Sequence, residues 1–588
     1  MLNHNYQNLN TEKATYIYFY TFIGCILSLF TFFSYWYFVF KYSVNSPFWD
    51  DYDSVLNFLN QFLTNKDFFY RINRLFSQHN EHRIFFSRVI ELLYYYVFGK
   101  IDFIHLIIVG DMGLILITLT VCIHFAKKHV KLFNLTILPI VMFSFSQYEL
   151  MTWAMASLQQ YYQLFFALIA ILFFTKSNNA RDFILGLFFS TLASFTGGGG
   201  LIIFPVILFY YIILKDLKKT LIISIYGIFI FYIYFVLLHY QSTPIGIASR
   251  IYALSHPLAY IKYILIFIGN LAPGFYSSHL YLPIFSGVIL SIFAIHIVIQ
   301  YLSNKMESFL FFSMLFIFAT AAAAGVSRIS IGVGEAASSR YGIYSLVFLV
   351  IIYGYYLIRY KENRHVLLCL NILGLIISTI IFFVWFNKGV EQLKYRSFIS
   401  YHYVVYHDPN RGLKIISESK RLHIFIPYHV IIATSNSGNL PNKPLAISIK
   451  QIVSLPKNDY HADFCVDYIN DYKLPCAKRN ITITLQSDII NINGWAVDEE
   501  THSIVSAVFA DINGKLFPLT YGIERADVAI AFKNPDYIYS GFQDSINVPD
   551  LKQGKNTLSF IIVNNKETGF YQTQPLKLYF TKSNGGSP

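Results

Sequence analysis

The stretch Ser46-Pro47-Phe48-Trp49-Asp50-Asp51-Tyr52-Asp53 places two adjacent carboxylates directly after an apolar segment, Tyr16–Phe40, that is long enough to cross a bilayer. Further along the same polar stretch comes Gln78-His79-Asn80-Glu81-His82-Arg83. Carboxylates, imidazoles and a guanidinium therefore crowd one loop of an otherwise apolar chain. Polar groups are expensive beside a membrane, so such a cluster marks a working site. Helix capping ahead of an amphipathic helix, Val55 to Leu63, accounts for one of Asp50 and Asp51. The other is a spare carboxylate. It is suited to act as a general base or, with its neighbour, to offer oxygen ligands to a divalent cation such as Mg2+ or Mn2+.

On a helix, His79 and His82 would share a face. The metalloprotease spacing His-Glu-x-x-His is absent, so substrate contacts are expected of His79, Glu81 and His82. Arg83 offers a forked donor suited to phosphate. Arg328 and Arg340 flank a stretch, Ile329 to Ser339, that contains Gly332, Gly334 and Glu335, and Arg340-Tyr341 opens the next apolar run. Either arginine would snorkel to headgroups if it had no other task. Two of them around a glycine-rich backbone also suit a lipid-linked phosphate. Gly197–Gly200 allow close approach of backbone to a ligand, or simply a tight connector. Asp111 lies within an apolar run, where an acid is either functional or paired with a neighbouring helix.

The elements that must position these residues are apolar. Of 588 residues, 55% are hydrophobic, 18% aromatic and only 13% charged, against about 25% charged in an ordinary soluble protein. Spans are expected near 16–40, 103–125, 131–147, 158–175, 182–195, 199–214, 219–239, 283–302, 307–325, 340–359 and 365–386, about eleven in all. With the N-terminus cytoplasmic, the short basic connectors at 127–131, 176–182, 215–219, 304–305 and 359–365 fall on one face, the positive-inside pattern. The net charge of +12 is thereby assigned to cytoplasmic loops, and no nucleic-acid groove is expected. The segment 257–274 carries Pro257, Asn270, Pro273 and Gly274, and reads as a half-helix or re-entrant element. The outer face then receives the loop 41–101, Glu149, Gln159, Gln160, Arg328, Glu335 and Arg340. The charge rule was not built from these residues, so their convergence is independent support for an outer-face site.

Beyond the membrane region, residues 1–386, lie a mixed region, 387–475, and an all-β sandwich, 476–588. The sandwich is marked by alternating strands and the turn signals Asn493-Gly494, Asn513-Gly514 and Gln553-Gly554. Cys465 and Cys476 are the only cysteines outside the spans. They lie on the outer face, where a disulfide persists, and a bridge between them is expected.

The membrane region resembles the GT-C superfamily of glycosyltransferases, which use polyprenyl-phosphate-linked sugars. The likeness is carried by one span leading to a large outer loop, Asp50-Asp51 at its start, helices along the interface and arginines at later outer loops. It also draws on the His79–Arg83 and Ser339-Arg340-Tyr341 stretches, and it covers about two thirds of the chain. It implies a polytopic helical fold in the plasma (inner) membrane of a bacterium, with the C-terminal module periplasmic. It further implies an inverting transfer of sugar to a glycan, lipid or protein acceptor. Asp50 or Asp51 would be the base, and Arg83, Arg328 and Arg340 the phosphate contacts. The runs Gly494-Trp495-Ala496-Val497-Asp498, Arg525-Ala526-Asp527-Val528 and Ser540-Gly541-Phe542 resemble a β-module that recurs on bacterial surface-glycan proteins, and imply a binding or positioning role. Two other classes compete: a transporter or flippase of lipid-linked glycans, which calls for polar residues running through the helices, and a non-catalytic assembly protein.

Overall fold

The structure is a computed structural model that describes residues 2–176, 179–272, 280–304, 307–402 and 404–426. Further on it describes 452, 455–457, 462–470, 472–474, 482–485, 489–523, 525–547 and 552–580. The chain divides into two compact units, Met1–Phe398 with Glu418–Ile426, and Ile399–Ser417 with Pro427–Pro588.

The first unit is helical. Its elements are α1 (Leu2–Tyr42), α2 (Phe58–Thr64), α3 (Phe68–Phe76), the short strands β1 (Gln78–His79) and β2 (His82–Arg83), α4 (Phe85–Phe98) and α5 (Phe103–Lys127). There follow α6 (Ile137–Met142), α7 (Ala154–Lys176), α8 (Ala180–Thr196), α9 (Ile203–Ile213), α10 (Leu217–Phe231), α11 (Pro244–Ser255) and α12 (Pro257–Ile268). The unit ends with α13 (Tyr281–Asn304), α14 (Ser308–Arg328), α15 (Gly342–Arg359) and α16 (Arg364–His402). Among the described residues, eight helical stretches are long and apolar enough to cross a membrane: Thr21–Tyr42, Phe103–Lys127, Ala154–Lys176, Leu217–Leu237, Tyr281–Ser303, Ser308–Ile331, Ser339–Arg359 and Arg364–Tyr401. The peripheral ones are apolar all round. Ile225, Ile228 and Phe229 of α10 and Phe285 and Ile292 of α13 are exposed, and only a lipid solvent suits such a surface. These are the helices of a membrane protein.

Three of the expected spans are built differently. The stretch 131–147 is broken into a 3-10 turn, α6 and a second 3-10 turn. Ser144 causes one break, because its hydroxyl accepts from the Ser146 amide at 3.3 Å and the Gln147 side-chain amide closes onto the Met142 carbonyl at 2.6 Å. The stretch 182–195 is α8, of 17 residues. The stretch 199–214 opens as a 3-10 turn through the glycines before α9 begins. Pro257 sits where α12 starts after a 112° bend from α11, as a residue with no N–H and a fixed φ does. The last long helix runs on to His402, past the boundary expected at 386.

Packing fixes helix directions. Gly110 and Gly113 of α5 face Ser157 and Tyr161 of α7, so these two run parallel, whereas Phe183 and Phe189 of α8 meet Phe174 and Phe166 of α7, so this pair is antiparallel. The broken segment runs alongside α1, with Thr136 against Gly24 and Phe145 against Phe38.

Among the described residues of the second unit, two six-stranded sheets carry β3 (Ala462–Ile469), β4 (Tyr472–Lys473), β5 (Thr482–Leu485), β6 (Ile489–Asp498), β7 (Ser503–Ile504), β8 (Ala507–Ile512), β9 (Lys515–Pro518), β10 (Thr520–Ile523), β11 (Gly541–Asn547), β12 (Gly554–Val563), β13 (Phe570–Gln572) and β14 (Leu576–Phe580). One has the order β10-β11-β6-β3-β4 with β7 beside β6, the other β5-β14-β12-β8-β9 with β13 beside β12. A single apolar cluster takes Ile492 and Phe542 from the first sheet and Phe560 and Leu578 from the second. Cys465 is disulfide-bonded; Cys476, its expected partner, lies outside the described residues.

The helices α12 and α13 cross at a close backbone contact that glycine permits. A Cβ at Gly287 would stand 2.0 Å from the Leu265 carbonyl oxygen, a backbone atom that cannot step aside. The Gly287→Ala variant is therefore expected to force the helices apart and destabilise the fold by about 1–3 kcal/mol. Gly227→Ala, whose Cβ would meet only the Phe204 side chain at 3.3 Å, is expected to melt nearer the wild type. Thermal unfolding of the two purified variants in detergent checks this.

Candidate functional site

Asp50 and Asp51 are adjacent in sequence and do different things. Trp49 between Phe48 and Asp50 takes a left-handed backbone conformation, φ 48°, which L residues rarely adopt. The chain turns there. Asp51 goes inward, 1% exposed. One of its oxygens accepts from the Phe48 amide at 3.1 Å and the other from the Met155 amide at 2.9 Å. Asp51 thus caps α7, a helix distant in sequence, and not the helix that follows it. That following stretch is a π-turn, Tyr52–Asn57, leading into α2. Burial pushes its carboxyl up to about 7, against the pull of the two amides, with Asp50 adding to the rise.

Asp50 is the spare carboxylate. It lies 3.7 Å from His79 Nε2 and 3.4 Å from the Asn80 side-chain amide, and its side chain is 36% exposed. Burial acts to raise its pKa, but His79, with help from Arg340 and Asn80, outweighs this and holds the carboxyl at about 2. It is ionised at neutral pH.

The His79–Arg83 stretch is not a helix start. It is a hairpin in which Gln78 pairs with Arg83 and His79 with His82, and Asn80 takes the left-handed turn position, φ 49°. A turn residue with positive φ suits Asn. The hairpin reaches two ways. His79 and Asn80 go to Asp50, while Glu81 and His82 line a cavity of about 270 Å³. Glu81 bonds Arg328 at 2.7 Å and the Thr243 hydroxyl at 2.8 Å. Burial acts against its charge, but Arg328 and His82 hold its carboxyl below the usual range. His82 Nδ1 accepts from the Gly198 amide at 3.2 Å. An amide only donates, so the ring proton sits on Nε2. Burial, reinforced by Arg328, lowers the His82 pKa to about 4, and the ring is a neutral donor at pH 7.

The glycine run serves close approach: none of Gly197–Gly200 has positive φ, but a Cβ at Gly197 would lie 2.1 Å from Gln163 Oε1 and one at Gly200 2.0 Å from the Ala193 carbonyl oxygen. Arg340 pairs with Glu335, and its backbone amide donates to Glu149 at 2.8 Å. Glu149 also accepts from Ser338 at 2.8 Å. Tyr341 lines the cavity and packs on Phe267 at 4.9 Å.

Arg83 has another task than the one expected from its type. It is 1% exposed. Its guanidinium donates to the carbonyls of Phe76, Tyr234 and Leu238 at 2.8–3.1 Å and stacks over the Tyr234 ring at 5.1 Å. It closes the C-terminal ends of α3 and of the π-turn after α10, and it does not line the cavity. Asp51 is buried with each of its oxygens on a backbone amide, while Asp50 is half-exposed. Among the described residues no group of three or more His, Cys, Asp or Glu side chains is arranged to hold a metal ion. Asp111 is buried within its span beside Tyr35 and Tyr161. The residues that sequence reasoning missed are Gln163 and Tyr344, which join Gln160 in a chain of 2.9 Å bonds on the cavity wall, and Arg396, which sits over Phe48 at 3.9 Å. Their signal was present: a glutamine or arginine inside an apolar helix is expensive and has a reason.

Comparison with known protein families, characterised proteins and solved structures finds no match to the chain.

Two outcomes follow for these reassigned residues. Arg83→Gln leaves buried carbonyls without their donor and is expected to destabilise the fold by on the order of 3 kcal/mol, read as a lowered melting temperature. An unchanged melt with lost activity would return Arg83 to the substrate. Asp51, with a folded-state pKa raised above the unfolded one, binds its proton more tightly when folded. Its contribution is fully present below about pH 4 and is lost as pH rises to about 7. Relative to wild type, Asp51→Asn is expected to flatten the fall in melting temperature across that window, measured in a pH series.

Proposed function

We propose that the protein is an inverting glycosyltransferase of GT-C type, moving a sugar from a polyprenyl-phosphate donor to a glycan, lipid or protein acceptor on the outer face of a bacterial inner membrane. The observation that carries the reading is the convergence of Asp50, the His79–His82 hairpin, Arg328 and Arg340 at one end of the helical unit. The basic connectors gather elsewhere in small ion pairs, Lys128 with Glu307 at 3.0 Å, Lys176 with Asp182 at 3.6 Å and Lys219 with Asp216 at 3.5 Å. That separation supports a cytoplasmic N-terminus and an outer site. The packing also supports eleven passes. The broken segment 131–147, α8 and the stretch Gly198–Ile213 lie alongside full-length helices, and α11 with α12 is then a re-entrant element. The two sheets that share a core support a sandwich for the C-terminal module, in a binding or positioning role.

In this reading Asp50 receives the proton of the acceptor hydroxyl as its oxygen attacks the anomeric carbon. The bond from that carbon to the donor phosphate breaks, and the electron pair leaves with the polyprenyl phosphate. A carboxylate held at about 2 is a weak base towards a free hydroxyl. It suffices for a late proton transfer, because the attacking oxygen becomes strongly acidic as its new bond forms. Asp51 has a pKa nearer neutrality, but geometry decides, and both its oxygens are occupied. The leaving phosphate needs donors that are already in place, and Arg328, Arg340 and the Nε2–H of His82 are the candidates.

Asp50→Asn is expected to lower sugar transfer by about 100-fold or more while leaving the melting temperature near wild type. Transfer is measured with the purified protein, a polyprenyl-phosphate sugar and an acceptor chosen by mass analysis of surface glycans from cells lacking the protein. Undiminished transfer by this variant would remove Asp50 as the base, whereas no transfer by the wild-type protein would favour an assembly role.

A further inference from the structure

The arginines expected to meet phosphate are already engaged. Arg328 holds Glu81, Arg340 holds Glu335, and Arg83 holds three carbonyls. A fourth, Arg250 on α11, lines the same cavity as Glu81 and His82. It is exposed. Its Nε donates to the Gly246 carbonyl one turn back at 3.1 Å, which fixes the stem and leaves the two terminal nitrogens of the fork. Among the described residues no carboxylate forms an ion pair with it. The helix that carries it is anchored as well, since the Ser249 hydroxyl bonds that of Ser330 at 2.7 Å. A planar fork held in place loses little freedom when it takes up an oxyanion.

The cavity around Arg250 has two characters. Ser242 and the Nε2–H of His82 are polar donors on its lining, while Phe235, Phe267 and Val326 are apolar. Arg328 and His82 can still donate hydrogen bonds to a phosphate there, but the pair Glu81–Arg328 is internally neutral and His82 is uncharged at pH 7, so among the described lining residues the unpaired positive charge is that of Arg250. We propose that Arg250 receives the anionic group of this cavity's ligand, and that the ligand is a phosphate ester carrying an apolar chain. Naming the ester as a glycosyl donor rests on the function proposed above; the anion contact itself does not.

The test uses the full-length protein purified in detergent, with farnesyl phosphate, inorganic phosphate and farnesol as probes and calorimetry as the readout. Farnesyl phosphate is expected to bind wild type, to bind Arg250→Gln about 10-fold more weakly or worse, and to bind Arg250→Lys with intermediate affinity because the lysine keeps the charge without the fork. Equal affinity of wild type and Arg250→Gln for farnesyl phosphate overturns the proposal. So does farnesol binding as tightly as its phosphate. If inorganic phosphate binds as tightly as farnesyl phosphate and both are lost in Arg250→Gln, the anion contact stands and the apolar chain is struck out. No sugar is present in these measurements. A loss of binding in Arg250→Gln alongside no sugar transfer by the wild-type protein would therefore sink the glycosyltransferase reading and leave the anion contact standing.

Discussion

The bond pair from the Asp51 carboxylate to the amides of Phe48 and Met155 joins the first loop to the start of α7, and the site is built on that join. Around it, Phe48 packs edge-on against Trp153 at 5.3 Å, and the Arg396 guanidinium lies over both rings. Arg396 also bonds the Thr152 hydroxyl at 3.2 Å and the Glu149 carbonyl at 3.4 Å. A buried carboxylate is tolerable only where donors and a countercharge surround it, and here those partners come from α1's exit loop, the first turn of α7, and α16. Three distant stretches of the chain are thereby brought to one point.

Glu149 makes the second join. Its side chain takes the Ser338 hydroxyl and the Arg340 amide, its own amide donates to the Ser339 hydroxyl at 3.1 Å, and Asn270 donates to the Ser338 carbonyl at 2.8 Å. The strap from Arg328 to Tyr341 is thus held at its Ser338–Arg340 end, and near its start the Ser330 amide donates to the Ser249 hydroxyl at 3.1 Å. The arginines at its two ends stand where the hairpin and Asp50 are, because the strap between them cannot drift.

Much of this was legible in the sequence, in a particular way. Charge scarcity marked the membrane region, and the polar exceptions to it, Asp50, Glu81, Glu149, Arg328 and Arg340, are the residues the fold gathers. Residue type did not reveal which side chains face a ligand. Arg83 and Arg250 look alike in sequence; one meets helix-end carbonyls and the other a cavity, and only the path of α10 and α11 decides between them. Helix length was misread where side chains compete with the backbone. Ser144 and the glycine run interrupt apolar stretches whose hydropathy is uniform. The spacing of His79 and His82 fits a helix face, yet Asn80 accepts a left-handed turn and the pair becomes opposite members of a ladder.

Trp49 carries a consequence of its own. A large aromatic residue held at φ 48° stores on the order of 1–2 kcal/mol of unfavourable backbone energy, which the surrounding contacts must absorb. The turn at Trp49, just ahead of the two acids, is followed by Asp51 in a dry berth, 1% exposed, and Asp50 in a wetter one, its side chain 36% exposed, so that one anchors the loop and the other stays open to a ligand.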